Sequence, residues 1–415
     1  MQVGKDPPFH LTYCTNIHPG NGWGEVFANL RRYAPELKKR LSPGRRFGLG
    51  LRLSSKESEE LLQGENLERF RRFLAEEGLY VFTLNGFPFG PFHGERIKSA
   101  VFAPDWRDPA RTEYTLRLID ILKALLPEGV EGGISTAPLS YRRWIRRDCR
   151  DDWEAITRQI VRVAERLIRV ERAEGQRIHL DIEPEPDGLV ERSAEVVAFF
   201  EWWLLPAGAA LLAKSLGLST EEARASLLNH IRVCLDTCHM AVMYESPEAI
   251  LERFSKVGIR IGKVQISAAL EVALPDELST RLKLREQLQP FAESTYLHQV
   301  VEEKQNGLYG RYPDLEDALA VIQAPHARKW RIHFHVPLFV GSYGSFRSTR
   351  PEVRSLLRLL QGKNVTRHLE IETYTWKVLP DDLKVDLTDS IEREYRWVVR
   401  ELEGASLLTR SSARE

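Results

Sequence analysis

Short apolar runs rich in β-branched residues recur along the chain with helical patterns between them, a rhythm that predicts parallel βα units over a sandwich or a bundle. Nine strands are predicted, at residues 11–17, 47–53, 80–85, 132–137, 178–183, 233–236, 263–266, 332–336 and 369–372. Runs such as VCLD and IHLDIE are nearly continuous in apolar character, as strands buried on both faces are. They suit the inside of a barrel.

The helices carry clear punctuation. Ser246, Pro247 and Glu248 supply an N-cap, a first-turn proline and an acidic residue ahead of 249–256, and Gly258 stands where a left-handed terminator belongs. Leu67, Phe70 and Leu74 form a helical stripe ending before Gly78, and 351–361 followed by Gly362 repeats the grammar. The Arg/Glu-mixed stretch 142–174 predicts an exposed helix. The most apolar stretch, 199–213, is broken by Glu201 and Pro206 and falls short of the roughly 20 residues that cross a bilayer, so a buried helix is expected. With no Gly/Ser or Pro-rich linker, residues 1–415 are expected to form one domain. Two regions exceed simple loops: 87–109, rich in Pro, Gly and aromatics, reads as a lid, and 268–312 as an insertion with a hairpin at 296–301 and 308–312.

Composition narrows the class. The 415 residues are 43% hydrophobic and 28% charged, enough for a large core. Lys plus Arg and Asp plus Glu both total 59, so no global field draws the protein to nucleic acid or to anionic lipid. The four cysteines, Cys14, Cys149, Cys234 and Cys238, form no CxxC pair and no disulfide framework, and the first residues lack a signal-peptide run. A cytoplasmic protein without direct membrane insertion is the expectation.

In parallel α/β folds functional residues gather at the C-terminal ends of strands, and polar side chains accumulate there in this chain. Asp236 ends a strand and His239 follows three residues later, so both can aim at one point. The pair reads either as a metal ligand with a substrate contact, or as a turn cap beside a buried histidine. Alternation puts His179, Asp181 and Glu183 on one strand face, where inward carboxylates are costly unless paired or bound to a cation. Glu185 is expected in a surface loop. Glu370 and Glu372 share a face, with Glu372 nearer the strand end, and His333 and His335 share another. Gln265 can offer a carbonyl to a hard cation or serve as a polar barrel-layer residue.

The CLDTCH segment, followed by a later strand ending in Glu-Thr, resembles the xylose isomerase-like TIM barrels, the superfamily of sugar phosphate isomerases and epimerases and of endonuclease IV. Within it, HPGNGWGE, NGFPFGPFHG, LDIEPEPDG, CLDTCHMAV, HFHVP and LEIETYTW resemble the EboE-like metabolite-traffic family over nearly the whole chain. The resemblance implies an α/β TIM (β/α)8 barrel with an insertion after strand seven and a divalent cation (Mn, Zn or Mg) at its C-terminal mouth. By position it assigns Glu183, Asp236, Gln265 and Glu372 as metal ligands. Gln265 stands where histidine is commoner. His239 and His335, with His333 and Asn85, would contact substrate, or the first two would supply a second metal. The endonuclease branch places histidines where Asn85 and Thr136 stand, so a nucleic-acid substrate is not expected.

Two functions follow. One is a metal-dependent isomerase or epimerase in which Glu183 and Glu372 are the acid/base pair acting on a small oxygen-rich metabolite. The other is a metabolite-binding or carrier protein on the same barrel, working with partners encoded in the same cluster.

Overall fold

The structure, a computed structural model, describes residues 1–4, 8–91, 97–146, 148–361, 363–376 and 386–403. Chain order gives β1 (Gln2–Val3), β2 (Phe9–Tyr13), β3 (Phe47–Arg52), β4 (Leu79–Asn85), β5 (Gly132–Thr136), β6 (Ile178–Ile182), β7 (Ile231–Asp236) and β8 (Ile261–Ile266). An excursion then supplies β9 (Ala268–Ala273), β10 (Val300–Lys304), β11 (Tyr309–Tyr312), β12 (Ala327–Val336), β13 (Ser342–Tyr343) and β14 (Phe346–Ser348), before the chain returns as β15 (His368–Ile371).

The first sheet runs β1-β2-β15-β8-β7-β6-β5-β4-β3. All its pairings from β2 to β3 are parallel, and only β1 lies antiparallel, on β2. A parallel bridge between Cys14 and Gly50 brings the end of β2 against β3 and nearly closes the ring. Eight parallel strands with helices between them make an α/β (β/α)8 TIM barrel, with a sheet inserted after its seventh strand. The inserted sheet is antiparallel, in the order β11-β10-β12-β9-β14-β13.

Eight of the nine predicted strands lie in the barrel. The ninth, at 332–336, does not: it is the end of β12 in the inserted sheet. Ile332, Phe334 and Val336 pack into the core while His333 and His335 are buried on the other face, so a strand covered on both sides read like a barrel strand. The inserted sheet therefore reaches to Ser348, well past residue 312.

Two helix readings need correction. The stretch 142–174 divides into a single 3-10 turn, Arg142–Trp144, and a helix, Arg150–Glu174, whose Ile156, Ile160, Val163 and Leu167 are buried against the barrel. The apolar stretch at 199–213 belongs to a continuous helical segment, Ser193–Leu216, of 24 residues, long and apolar enough by length and composition to span a bilayer. Pro206 does not break it, because a π-helical section, Phe200–Gly208, absorbs the missing N–H. Nor is it wholly buried: Trp202 is 72% exposed. The expected Pro247 helix is present as Pro247–Val257, its Ser246 hydroxyl accepting from Ala249 N–H and Gly258 ending it at φ 76°. Gly362 lies outside the described residues.

The barrel interior is unusually polar. Thr12, Thr83, Ser135, Asp181, Cys234, Lys263 and Glu370 are all fully buried where such barrels commonly hold branched aliphatics. Lys263 Nζ donates to Glu370 Oε2 at 2.6 Å and Ser135 Oγ at 3.0 Å, and Asp181 Oδ1 meets His179 Nδ1 at 2.6 Å. Glycines make the room. A Cβ on Gly133 would lie 2.8 Å from Asp181 Oδ2, and one on Gly262 would collide with the same carboxylate. Gly262→Ala is accordingly expected to lower stability by about 1–3 kcal/mol, as overpacked cores do. Urea unfolding against wild type checks it, and Gly129→Ala, where the added Cβ meets nothing, separates backbone strain at φ 74° from overpacking.

Candidate functional site

Barrel strand ends and the inserted sheet meet over one pocket. Asn16, Asn85, Glu183, Glu185, His239, His333, His335 and Glu372 form its polar lining. The pocket holds about 560 Å³ of space, counting the part open to solvent.

Ligand atoms of Glu183, Asp236 and Glu372 all lie within 4.8 Å of one another. Each comes from a different strand end, and β7 and β15 flank β8, with Asp236 and Glu370 both level with Gln265. Glu372 Oε1 accepts from Asn16 Nδ2 at 2.8 Å and Asn85 Nδ2 at 3.1 Å, and its Oε2 accepts from Gln265 Nε2 at 2.7 Å. Asn85 is itself aligned, since its Oδ1 accepts from Phe87 N–H at 3.1 Å. The fully buried Arg111 donates to the carbonyls of Gly86, Phe87 and Pro104, pinning this turn.

Asp236 is the turn cap that its position allowed. Its Oδ1 caps the turn Thr237–Val242, accepting from Cys238 N–H at 2.7 Å, His239 N–H at 3.1 Å and Ser267 Oγ at 2.7 Å. Its Oδ2 meets no hydrogen-bond partner among the described residues. Gln265 is placed differently from a ligand: its Oε1 accepts from the Cys234 thiol at 2.8 Å while its amide holds Glu372.

The imidazoles are locked. His335 Nδ1 donates to the Glu372 carbonyl at 2.6 Å, His239 Nδ1 to the Pro184 carbonyl at 3.0 Å and His333 Nδ1 to Gln299 Oε1 at 2.6 Å. The Gln299 amide orientation is fixed, because its Nε2 donates to the Pro186 carbonyl at 2.9 Å. All three rings therefore carry their proton on Nδ1 and turn an Nε2 lone pair inward. His239 and His333 set Nε2 against Nε2 at 3.1 Å. Ligand atoms of Glu185, His239 and His333 lie within 4.8 Å of one another, as do those of Asp236, His239 and His335.

Among the described residues, buried Glu183 Oε2, Asp236 Oδ2 and His335 Nε2 meet no hydrogen-bond partner. Burial, then the charges of Glu372 and Asp236, raise the Glu183 carboxyl well above its ordinary range, and burial and Asp236 do the same to Glu372. For Asp236 burial works the other way but is outweighed by the His239 and His335 imidazoles, which hold it below the usual range. Burial pushes Glu185 up to about 8 and His335 down to about 4. Converging acceptors without donors fit a divalent cation.

Glu185 is thus no surface loop residue: it is 5% exposed and hydrogen-bonded by Gln299 at 3.3 Å. Its place two residues past Glu183 was a signal, but the loop turns it inward, which no alternation rule anticipates. Asn16, Gln299, Tyr296 and Tyr374 carry no spacing motif. The segment 87–109 contributes Phe87, Pro88, Ile97, Lys98 and Val101 to the pocket wall, whereas Phe102 and Trp106 are wholly buried, the latter donating to Thr136 Oγ1 at 3.2 Å. Phe92 and Gly94 lie outside the described residues.

No family model and no curated protein matches the chain. Among solved structures, it is similar to the probable 3-DHS dehydratase AsbF involved in petrobactin synthesis from Bacillus anthracis (12% identity, TM-score 0.46, covering 93% of this chain and 97% of that one). A xylose isomerase domain protein from Alicyclobacillus acidocaldarius is similar at 12% identity and TM-score 0.42, covering 95% and 100%. An AP endonuclease, family 2, from Brucella melitensis gives 15% and 0.36, covering 69% and 91%. None of the three reaches a TM-score of 0.5, so the barrel assignment rests on this chain's own strand order and register.

The raised Glu185 fixes a sign for pH. A carboxyl whose folded pKa stands near 8 contributes stability in full below its unfolded value and loses it as pH rises through the folded one. In chelator-treated protein, Glu185→Gln is expected to gain on the order of 1–3 kcal/mol over wild type at pH 9 and little at pH 4. Urea midpoints at the two values test this; equal differences at both would refute it.

Proposed function

We propose that this chain is a divalent-metal barrel protein of the xylose isomerase-like kind, acting as an isomerase or epimerase on a small oxygen-rich metabolite. The supporting observation is the trio of buried, partnerless acceptors, Glu183 Oε2, Asp236 Oδ2 and His335 Nε2, inside one cluster of carboxylates and Nδ1-protonated imidazoles. Glu183, Asp236 and Glu372 would hold the cation, His335 and His239 stand beside it, and Glu185, His239 and His333 offer a second group of donors. Gln265 supports Glu372 in this reading and does not ligate. When bound, a divalent cation polarises a substrate carbonyl and stabilises negative charge developing next to it.

The chain's own groups supply the rest. Glu183 and Glu372 come from different strand ends and both line the pocket, where two carboxylates can take a proton from one carbon and return it to the next. Asn16, Asn85 and Gln265 hold the Glu372 oxygens in place. Asn85 both contacts Glu372 and lines the pocket. Kinship with the EboE-like metabolite-traffic proteins, a place in secondary metabolism and a cytoplasmic address belong to this same reading.

The carrier alternative has one observation in its favour: with the Gln265 carbonyl taken by Cys234, the oxygen-rich group lacks a fourth strand-end ligand, which would weaken the hold on metal. Metal analysis and isotope exchange decide. Purified protein is expected to retain Mn²⁺, Zn²⁺ or Mg²⁺, and its melting temperature to fall with chelator, because a cation bound at 1,000 times its dissociation constant adds about 4 kcal/mol. Asp236→Asn should lose the metal while keeping the fold. Incubation with α-hydroxyketones in deuterated water should label the carbon next to the carbonyl in wild type and not in Glu183→Gln. Metal retention without exchange would favour the carrier; indifference to chelator would end the metal reading.

A further inference from the structure

Above the acceptor floor the pocket changes character. Phe87, Ile97, Val101, Tyr296, Leu297 and Tyr374 form an apolar collar around it. The collar comes from three places in the chain, with Tyr374 following β15. Phe87 and Val101 belong to the segment after β4, Tyr296 and Leu297 to the inserted sheet's approach to β10, and the pieces are joined by Ile97 and Lys98 N–H groups donating to the Thr295 carbonyl at 2.9 and 3.0 Å. Val101 and Leu297 pack on the small core of Phe87, Phe102, Ala137 and Tyr141. Tyr374 sits with its ring 5.1 Å from that of Tyr296 and 4.8 Å from the His335 imidazole, so it spans collar and floor.

A collar of this kind has little to offer a polyol. Hydroxyls on every carbon would be desolvated against Val101, Leu297 and Phe87 with no partners, at a cost of about 1–3 kcal/mol each. A phosphate fares no better at the described lining, where the ammonium of Lys98 is already committed to the Asp314 carboxylate and the Glu293 carbonyl. An apolar ring or chain, by contrast, gains about 25 cal/mol for each Å² it buries there. The floor asks for the opposite: Glu183, Asp236 and His335 present acceptors to which a hydroxyl can donate, and a cation held among them would take that oxygen together with a carbonyl on the adjacent carbon.

We propose that the ligand of this pocket is an amphiphilic metabolite: an α-hydroxycarbonyl head at the carboxylate floor and an apolar, ring-bearing body in the collar, in place of a free or phosphorylated sugar. The inference rests on the metal reading above for the head, and on the collar alone for the body.

Three probes share one head and differ in body: 2-hydroxyacetophenone carries a phenyl ring, dihydroxyacetone a second hydroxymethyl, and dihydroxyacetone phosphate an anion. Titration calorimetry on Zn²⁺-loaded protein is expected to give 2-hydroxyacetophenone at least tenfold tighter binding than either of the others. Val101→Asn and Leu297→Asn, made separately and checked for unchanged metal content, should each weaken 2-hydroxyacetophenone at least fivefold and leave dihydroxyacetone within twofold. Tighter binding of dihydroxyacetone or its phosphate overturns the proposal, and so does a preference that neither collar variant reduces. The same titrations after chelation separate the two readings. If 2-hydroxyacetophenone keeps its affinity and its preference without metal, the metal reading fails and the apolar body stands; if metal binds and the preference is missing, the reverse holds.

Discussion

The constraint behind this molecule is the cost of holding anionic and lone-pair acceptors together out of water. Glu183, Glu185, Asp236 and Glu372 are each no more than 6% exposed, and Glu183, Asp236 and Glu372 crowd within a few ångströms. Burying one unpaired ionised carboxylate costs several kcal/mol, and burying three in mutual repulsion costs more. The barrel answers with fixed donors wherever it can. Asn16, Asn85 and Gln265 serve Glu372, while Ser267 and two backbone N–H groups serve one oxygen of Asp236. Among the described residues, it leaves Glu183 Oε2 and His335 Nε2 without partners on the pocket side, and deeper in the barrel Asp181 Oδ2 and Glu370 Oε1.

The same constraint runs down the barrel axis. Two residues beneath Glu372 on β15 lies Glu370, and two residues beneath Gln265 on β8 lies Lys263, so alternation stacks a neutralised pair under the site. Lys263 is an attractive charge beneath both Glu183 and Glu372, yet burial and Asp236 still leave Glu372 raised. The stack demands space. Gly50, Gly133 and Gly262 supply it by standing where any side chain would strike Glu370 or Asp181, which ties three glycines on three strands to the charges they accommodate.

Much of this was legible in the sequence because period two is robust. HLDIE and HLEIE announce inward polar residues directly, and eight strand positions followed from apolar runs between helical punctuation. What was not legible depends on pairing partners. RIHFHV has the same alternation whether it closes a barrel or crosses a mouth, and only the antiparallel register of β12 with β9 and β10 shows that His333 and His335 approach the site from the inserted sheet. Gln265 looked like a ligand because the family resemblance assigns its position to one and its carbonyl can serve a hard cation. Its side chain was claimed by Cys234 and Glu372, two neighbours that spacing does not reveal. Pro206 looked like a break because an α-helical ladder cannot accommodate it, whereas a π-helical section can.

The histidines show how the inserted sheet and the barrel depend on each other. His239 is held by a barrel loop carbonyl, His335 by the carbonyl of a barrel strand end, and His333 by Gln299 of the inserted sheet. Each lock is ordinary alone. Together they force the Nε2 lone pairs of His239 and His333 to face each other at 3.1 Å, an arrangement that is repulsive unless a proton or a cation lies between them. Burial opposes the proton, since it lowers the basicity of both rings. Glu185 stands within reach of the same two nitrogens. Closing the inserted sheet over the barrel thus brings together two imidazoles and a carboxylate that neither part holds alone.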